Sequence, residues 1–396
     1  MRDALAIQGG TPVRSAWLPY GRQLIEDDDV RAVIDALRAD LVTTGPLVAE
    51  FERRFAATVS ARHAVAVSSG TAALHAAVFA ADVGAGDEVV TTPLTFVATA
   101  NAVLYQGGVP RFADVRPDTL TLDPDSLRKA MTPRTRAVLP VHFAGQPCDL
   151  DFVREIARGR GLRVIEDAAH ALGAEYRGRR VGALSDLTVF SLHPVKHITT
   201  GEGGMVTTDD DELAERLRRF RNHGLATDSR ARQARGALHS EMVDLGYNYR
   251  LTDVQCALGL SQLGKLDRFL AARERIAERY LANLKDQAGL RLPEIAPGVR
   301  HAWHLFPILL DIERLTVDRA TVFHALRAEN IGVTVHYLPA YWHPYYVRLG
   351  YARGLCPRAE DVAGRVLSLP MHAGMTGADV EDVIRAVRKV LGHYLA

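Results

Sequence analysis

Between residues 60 and 210, short apolar runs alternate with stretches of helical spacing, and few architectures accommodate that alternation. TAALHAAVFAAD (71–82) has helical character and leads into DEVVTTP (87–93). After VPRFADV (109–115) come helix-like DPDSLRKAM, apolar RAVLPVHF and helix-like DLDFVREIARGRG. LRVIEDAAH (162–170), LTVFSLHP (187–194) and GGMVTTD (203–209) complete the series. Strands separated by crossover helices predict an α/β fold, with a mainly parallel sheet covered by helices on both faces.

Earlier, Val30, Val33, Ile34 and Leu37 follow an acidic first turn at helical spacing, which predicts a helix over 27–39. Residues 251–285 read as one long helix leaving the large unit, with Pro293 and APG (296–298) as a linker. Beyond them, HLFPILLD, TVFHALRAENIG and VTVHYLP read as strand, helix and strand, followed by helices near 358–367 and 377–393. The expected division is a large domain over 1–265, N-terminal segment included, and a smaller α+β domain over 266–396.

The formal net charge of +1 gives no basic footprint for nucleic acid or a membrane surface. Three widely spaced cysteines, with no CxxC pair, argue against a disulfide framework. No apolar run approaches the roughly 18 residues of a membrane span, and MRDALAIQGGTPVRSAW lacks a signal-peptide core. A cytoplasmic location is the expectation.

The chemistry concentrates in SLHPVKHITTGEGG (191–204), where Lys196 follows an apolar run and precedes a glycine-rich turn. A Walker loop would place its lysine after the glycines and open a helix; here the glycines lead back into a strand-like run. No dinucleotide GxGxxG is present. His193 and His197 are separated by Pro194, and His301 with His304 and His336 with His343 have no accompanying ligand set, so no metal is expected. No GxSxG elbow occurs. What remains is a lysine used as a covalent amine, which needs a carbonyl cofactor, a phosphate seat and an opposing carboxylate.

VAVSSGTAAL (65–74) offers the seat: a strand ends in small residues where a helix begins, and helix-start N–H groups bind anions. VIEDAAHALG (164–173) offers the carboxylate, since Asp167 at a strand end suits the ring nitrogen of pyridoxal 5'-phosphate (PLP). Each motif alone also reads as an ordinary N-cap. Seat, Asp167 and Lys196 in this order point to a PLP enzyme.

Nearly the whole chain resembles the DegT/DnrJ/EryC1/StrS family of PLP-dependent sugar aminotransferases. The matching blocks include LPYGRQLIEDDDV, TTGPLVAEFE, VAVSSGTAALH, DEVVTTPLTFVATANA, VIEDAAHALGAEYRG, FSLHPVKHITTGEGGMVTT, LGYNYRLTDVQCALGLSQL and VHYLPAYWHPYY. The likeness is greatest to the nucleotide-sugar C4 aminotransferases of the pseudaminic-acid pathway. It implies fold type I architecture and a homodimer with shared active sites. By resemblance, Lys196 anchors PLP, Asp167 pairs with its ring nitrogen, His170 touches the ring hydroxyl and Phe96 stacks on the ring. Gly70, Thr71 and Ser191 match phosphate contacts, and Asn248 matches an asparagine reaching the phosphate from the other subunit. Tyr20, Thr43, Thr44, His336 and Tyr337 match the sugar-nucleotide pocket, with Arg221 a further candidate for a phosphate or carboxylate.

The resemblance implies transfer of an amino group from L-glutamate to C4 of a 4-keto-6-deoxy nucleotide sugar, UDP-linked. Alternatives are a dTDP-sugar C3/C4 or cyclitol aminotransferase, or a non-catalytic regulatory homologue. A PLP dehydratase, whose anchor lysine is replaced by His, is disfavoured because Lys196 stands at the anchor position. SLHPVK, SSGT, TTGP and YWHPYY depart from the family's SFHPVK, SNGT, TQGP and HLQPYY, and the stretch 225–244 is also unlike typical members. None of these departures touches Lys196 or Asp167, and several bear on the sugar pocket.

Overall fold

Val65, Val89, Ala137, Leu139, Ile165, Leu187 and Val189 are all fully buried, as expected where apolar strands have helices on both faces. The computed structural model describes residues 4–227 and 238–396; part of the atypical 225–244 stretch lies outside the described residues. The strands are β1 (His63–Val67), β2 (Glu88–Thr91), β3 (Val109–Phe112), β4 (Thr135–Leu139), β5 (Arg163–Asp167), β6 (Glu175–Tyr176) and β7 (Arg179–Arg180). They continue with β8 (Leu187–Ser191), β9 (Gly204–Thr208), β10 (Leu290–Arg291), β11 (Val299–Arg300), β12 (Phe306–Leu310) and β13 (Val366–Leu369).

The main sheet has the order β1-β9-β8-β5-β4-β2-β3. Strands β8, β5, β4, β2 and β3 pair in parallel, while β9 runs antiparallel to both neighbours. The C-terminal ends of β1, β5 and β8 therefore lie at one edge, where parallel sheets bind ligands. On one face, helix Gly70–Ala80 packs with Ala98–Tyr105 and Asp211–Phe220. Helix Gly70–Ala80 is apolar nearly all round and buried along almost its whole length, which fixes the helix start against the sheet. On the other face, Phe51, Phe55, Phe190 and Phe269 form a second core.

A smaller unit contains the sheet β10-β12-β13 and helices Arg319–Ala328 and Gly377–Tyr394. Its core includes Leu5 and Leu18, and the Glu329 carboxylate accepts from the Ala6 and Val13 N–H groups at 2.9 and 2.8 Å. The N-terminal segment, expected with the large unit, thus packs with the small one. The expected 251–285 helix is two, Asp253–Leu263 and Leu266–Leu284. They part at Gly264 and Lys265, whose ammonium is held by Glu26, Asp28 and Asp29. Helix Leu266–Leu284 begins at the expected boundary and spans both cores, Phe269 in the large and Tyr280 in the small.

VTVHYLP is not a full strand. It bridges Ser368 at Thr334, after which His336 and Tyr337 are drawn toward polar partners; β13 completes the sheet instead. The predicted helix over 27–39 forms at Asp27–Arg38, yet its Val30, Ile34 and Leu37 are exposed and Asp29 and Ala36 face the protein. The apolar spacing there marks an outward stripe.

Candidate active site

Strand β5 delivers Asp167 to the sheet edge with only 4% of its surface exposed. Its Oδ2 accepts from the Thr99 hydroxyl at 2.7 Å, and its Oδ1 accepts from the Ala169 N–H at 3.1 Å. Thr99 in turn lies 2.7 Å from the Thr95 hydroxyl, one helical turn earlier. Burial raises the carboxyl's pKa, while these hydrogen bonds and the positive charge of Lys196 oppose the rise. His170 follows in the same turn, and its Nε2 lies 3.1 Å from the Tyr337 hydroxyl.

Lys196 sits in the loop between β8 and β9. The Leu192 carbonyl accepts from both the Thr200 N–H and the Thr199 hydroxyl, closing that loop on itself. Burial lowers the Lys196 pKa to about 8; Asp167 opposes the shift and Arg273 adds to it. The shift enlarges the neutral-amine fraction near neutral pH, in the direction that a nucleophilic lysine requires. Nζ lies 3.4 Å from His304 Nε2.

The candidate phosphate seat lies where β1 turns into helix Gly70–Ala80. Ser69 caps that helix by accepting from the Ala72 N–H at 3.0 Å, and the Gly70 and Thr71 N–H groups belong to the first turn, which lacks intrahelical acceptors. A Cβ on Gly70 would stand 2.9 Å from that of Ser191, and one on Gly204 would stand 2.3 Å from the Ser69 carbonyl oxygen. These glycines let β8, β9 and the helix start converge on one spot.

Phe96 is 58% exposed, with its ring centroid 6.3 Å from that of Tyr337. Tyr20 packs on His336 with centroids 5.5 Å apart, and His336 Nδ1 lies 2.9 Å from the Ser368 hydroxyl. Thr43 and Thr44 are exposed on a turn fixed by Asp253, which accepts from Gly45 and Leu47 N–H groups. Asn248 is exposed, its backbone bridged to Asn222, and the adjacent Tyr249 carbonyl accepts from the Ser68 N–H at 2.8 Å.

Arg221 does not join the cluster. Its guanidinium pairs with Glu52 and donates to the Ala66 carbonyl at 2.7 Å, so it braces β1 from behind and is withdrawn as a substrate contact. Conversely, sequence reasoning missed Thr99, His304 and the fully buried Arg273. Thr95 and Thr99 at i, i+4 in an otherwise apolar stretch were the available signal for the first. His304 was considered only as half of a metal pair.

PLP fits these residues: a helix start freed of side-chain bulk by Gly70, a buried carboxylate held by neutral donors, an amine with a depressed pKa, and an uncovered aromatic face at Phe96. Residues 23–388 match the model of the DegT/DnrJ/EryC1/StrS aminotransferase family. The chain belongs to that family. It is 44% identical over 381 residues to the spore coat polysaccharide biosynthesis protein SpsC of Bacillus subtilis, covering 96% of this chain and 98% of that one. Among solved structures, Helicobacter pylori PseC, an aminotransferase involved in the biosynthesis of pseudoaminic acid, superposes with a TM-score of 0.89 at 31% identity, covering 96% and 100% of the two chains. The PLP form of Spr1654 from Streptococcus pneumoniae gives 0.90 at 28% identity, with coverage of 96% and 100%. This member of the family has the fold type I architecture and is a PLP-dependent aminotransferase.

Proposed function

We propose that the protein transfers the amino group of L-glutamate to C4 of a UDP-linked 4-keto-6-deoxy sugar, working as a homodimer in the cytoplasm. The observation that carries the reading is part-buried Lys196, in the loop after β8, together with buried Asp167 at the end of the neighbouring β5, beside a helix start suited to an anion. The names of SpsC and PseC support a sugar substrate.

Gly70, Thr71 and Ser191 would hold the cofactor phosphate, Phe96 would cover its ring, and Asp167 would hold the positive charge of its ring nitrogen. Bound PLP supplies the electron sink that acidifies the donor's Cα–H bond. Thr99 and the Ala169 N–H favour the ionised form of Asp167 against the cost of burial. The Lys196 amine removes and returns the proton. The donor loses its amino group as 2-oxoglutarate, and the sugar ketone becomes an amine. Tyr20, His336 and Tyr337 form an aromatic wall suited to an apolar sugar face, with Thr43 and Thr44 at its rim.

Two features support the homodimer. The stripe Val30, Ile34 and Leu37 is unusually apolar for an exposed helix face, and Asn248 is exposed beside the end of β1. An absorbance spectrum with PLP, before and after L-glutamate, tests the first half of the reaction. The expected result is a visible band that glutamate shifts to shorter wavelength, followed by amination of 4-keto nucleotide sugars in a panel. No visible band in a folded dimer would instead favour a regulatory protein.

A further inference from the structure

The short segment 301–304 carries features that the reaction outlined above leaves unused. Trp303 has φ +49, a left-handed conformation that a bulky residue adopts only when its surroundings enforce it. The enforcing contacts come from two sides. From helix Leu266–Leu284, the guanidinium of Arg273 donates through Nη1 to the carbonyls of Trp303 and His304, both at 3.2 Å, and to that of Met371 at 3.0 Å. From the turn after β4, Gly145 (φ +107) passes so close that a Cβ there would stand 2.9 Å from the Trp303 nitrogen and 3.1 Å from that of His304. The Ala302 N–H donates to the Gly145 carbonyl at 2.9 Å, and the Leu305 N–H donates to that of Ala144 at 3.2 Å.

The result is a histidine whose backbone is fixed on both sides and whose ring is 4% exposed. That ring packs on His170 with centroids 4.4 Å apart, and its Nε2 lies 3.4 Å from Lys196 Nζ. The distance is long for a hydrogen bond, as catalytic contacts often are before substrate arrives. Its Nδ1 has no partner among the described residues.

We propose that His304 is a positioning residue for Lys196, and that the bracing of segment 301–304 by Arg273 and Gly145 exists to present its Nε2 to the lysine amine. A four-carbon side chain freed from its cofactor has many rotamers, and only some place the amine where a proton can be exchanged. A fixed acceptor at one end of its swing narrows that set, a gain of the kind that orientation gives. Burial pushes the His304 pKa well below its ordinary range, and in the tautomer protonated at Nδ1 the neutral ring accepts a hydrogen bond from the amine at Nε2. The other groups acting on the pair are Asp167, His170, His197, His336 and Arg273, of which only Asp167 favours a charged amine.

This proposal rests on the aminotransferase reading, and its test separates the two. In apoprotein, the titration of the Lys196 amine is followed by the pH dependence of its acylation, with Lys196→Ala as the blank. His304→Phe retains a ring to pack on His170 but removes the nitrogen, and His304→Gln restores a polar acceptor. The expected result is a roughly tenfold lower proton affinity of Lys196 in H304F, with H304Q recovering much of it. With PLP and glutamate, half-reaction rates should fall about tenfold or more in H304F and recover partly in H304Q. An unchanged amine titration in folded H304F, or H304Q no better than H304F, overturns the role of His304. Failure of the wild type to take up PLP at all, with its amine titration intact, overturns the aminotransferase reading and leaves the Lys196–His304 contact standing.

Discussion

Asp167 and Thr43 stand at opposite extremes of the proposed site. Asp167 is almost wholly buried, with both oxygens hydrogen-bonded, and its donor Thr99 is itself buried and held by Thr95. Thr43 is exposed on a turn fixed through its backbone, by the Asp253 carboxylate and by a bridge to Thr252. On the cofactor side of the proposed site, Asp167, Thr99 and Thr95 form a closed chain of hydrogen bonds. On the sugar side, the rim residues Thr43 and Thr44 are exposed. The departures from the family fall on both kinds of ground: SSGT retains Gly70 and Thr71 and TTGP is exposed at Thr43 and Thr44, while YWHPYY buries Tyr341 and Tyr346 in a core.

The contrast is tested most severely at its buried end. Lys196→Ala should lower turnover by roughly 10⁴-fold or more, read in single-turnover transamination, because a positioned amine both anchors the cofactor and moves the proton. Asp167→Asn should retain PLP by equilibrium dialysis yet lose about 10²- to 10³-fold in rate, since a neutral amide cannot hold the ring nitrogen's charge. Equal rates for the Asn variant would remove Asp167 from its role and leave the cofactor half no stricter than the rim.

Thr99→Val is a finer probe. Loss of a hydrogen bond to a charged group is worth about 1.5–3 kcal/mol, or about one to two decades in rate. The bond favours the ionised carboxylate, so its removal raises the Asp167 pKa further. The acid limb of the pH–rate profile should therefore move to higher pH, and the loss should shrink as pH rises. A loss equal at every pH would assign Thr99 to packing alone. The smallest effect is expected at the rim: Thr43→Val should change KM for the nucleotide sugar by a few-fold, about 1 kcal/mol or less, and leave the glutamate half-reaction unaltered. A slowed glutamate half-reaction in that variant would erase the distinction between the two halves.

Much of the large unit was legible because its physics is local. Buried parallel strands must be apolar throughout, crossover helices must follow them, and the residues at strand ends fall at one edge; Asp167 and Lys196 are found by that logic. What escaped depends on partners distant in sequence. Arg221 looks available until Glu52, 169 residues away, is brought beside it. His304 and Lys196 are separated by 108 residues and Thr99 and Asp167 by 68, and no periodicity announces either contact. The VTVHYLP segment alternates like a strand, but its polar residues find partners in the site and only Thr334 pairs with the sheet. The stripe on helix Asp27–Arg38 shows the same limit from the other side: spacing reveals a helix and an apolar face, but not which way that face turns.

Leu5 and Leu18 share one core with Val383 and Val387, which ties an early part of the chain to a helix made more than three hundred residues later. During synthesis those first residues wait, since their core does not exist until helix Gly377–Tyr394 has emerged. The sheet bearing Asp167 and Lys196 is complete by Thr208 and is free to fold long before that. The sheet is thus an uninterrupted stretch lodged inside a discontinuous molecule, and the order of manufacture sets Asp167 and Lys196 in the chain before the residues that close around them, His304 and Tyr337, have been made.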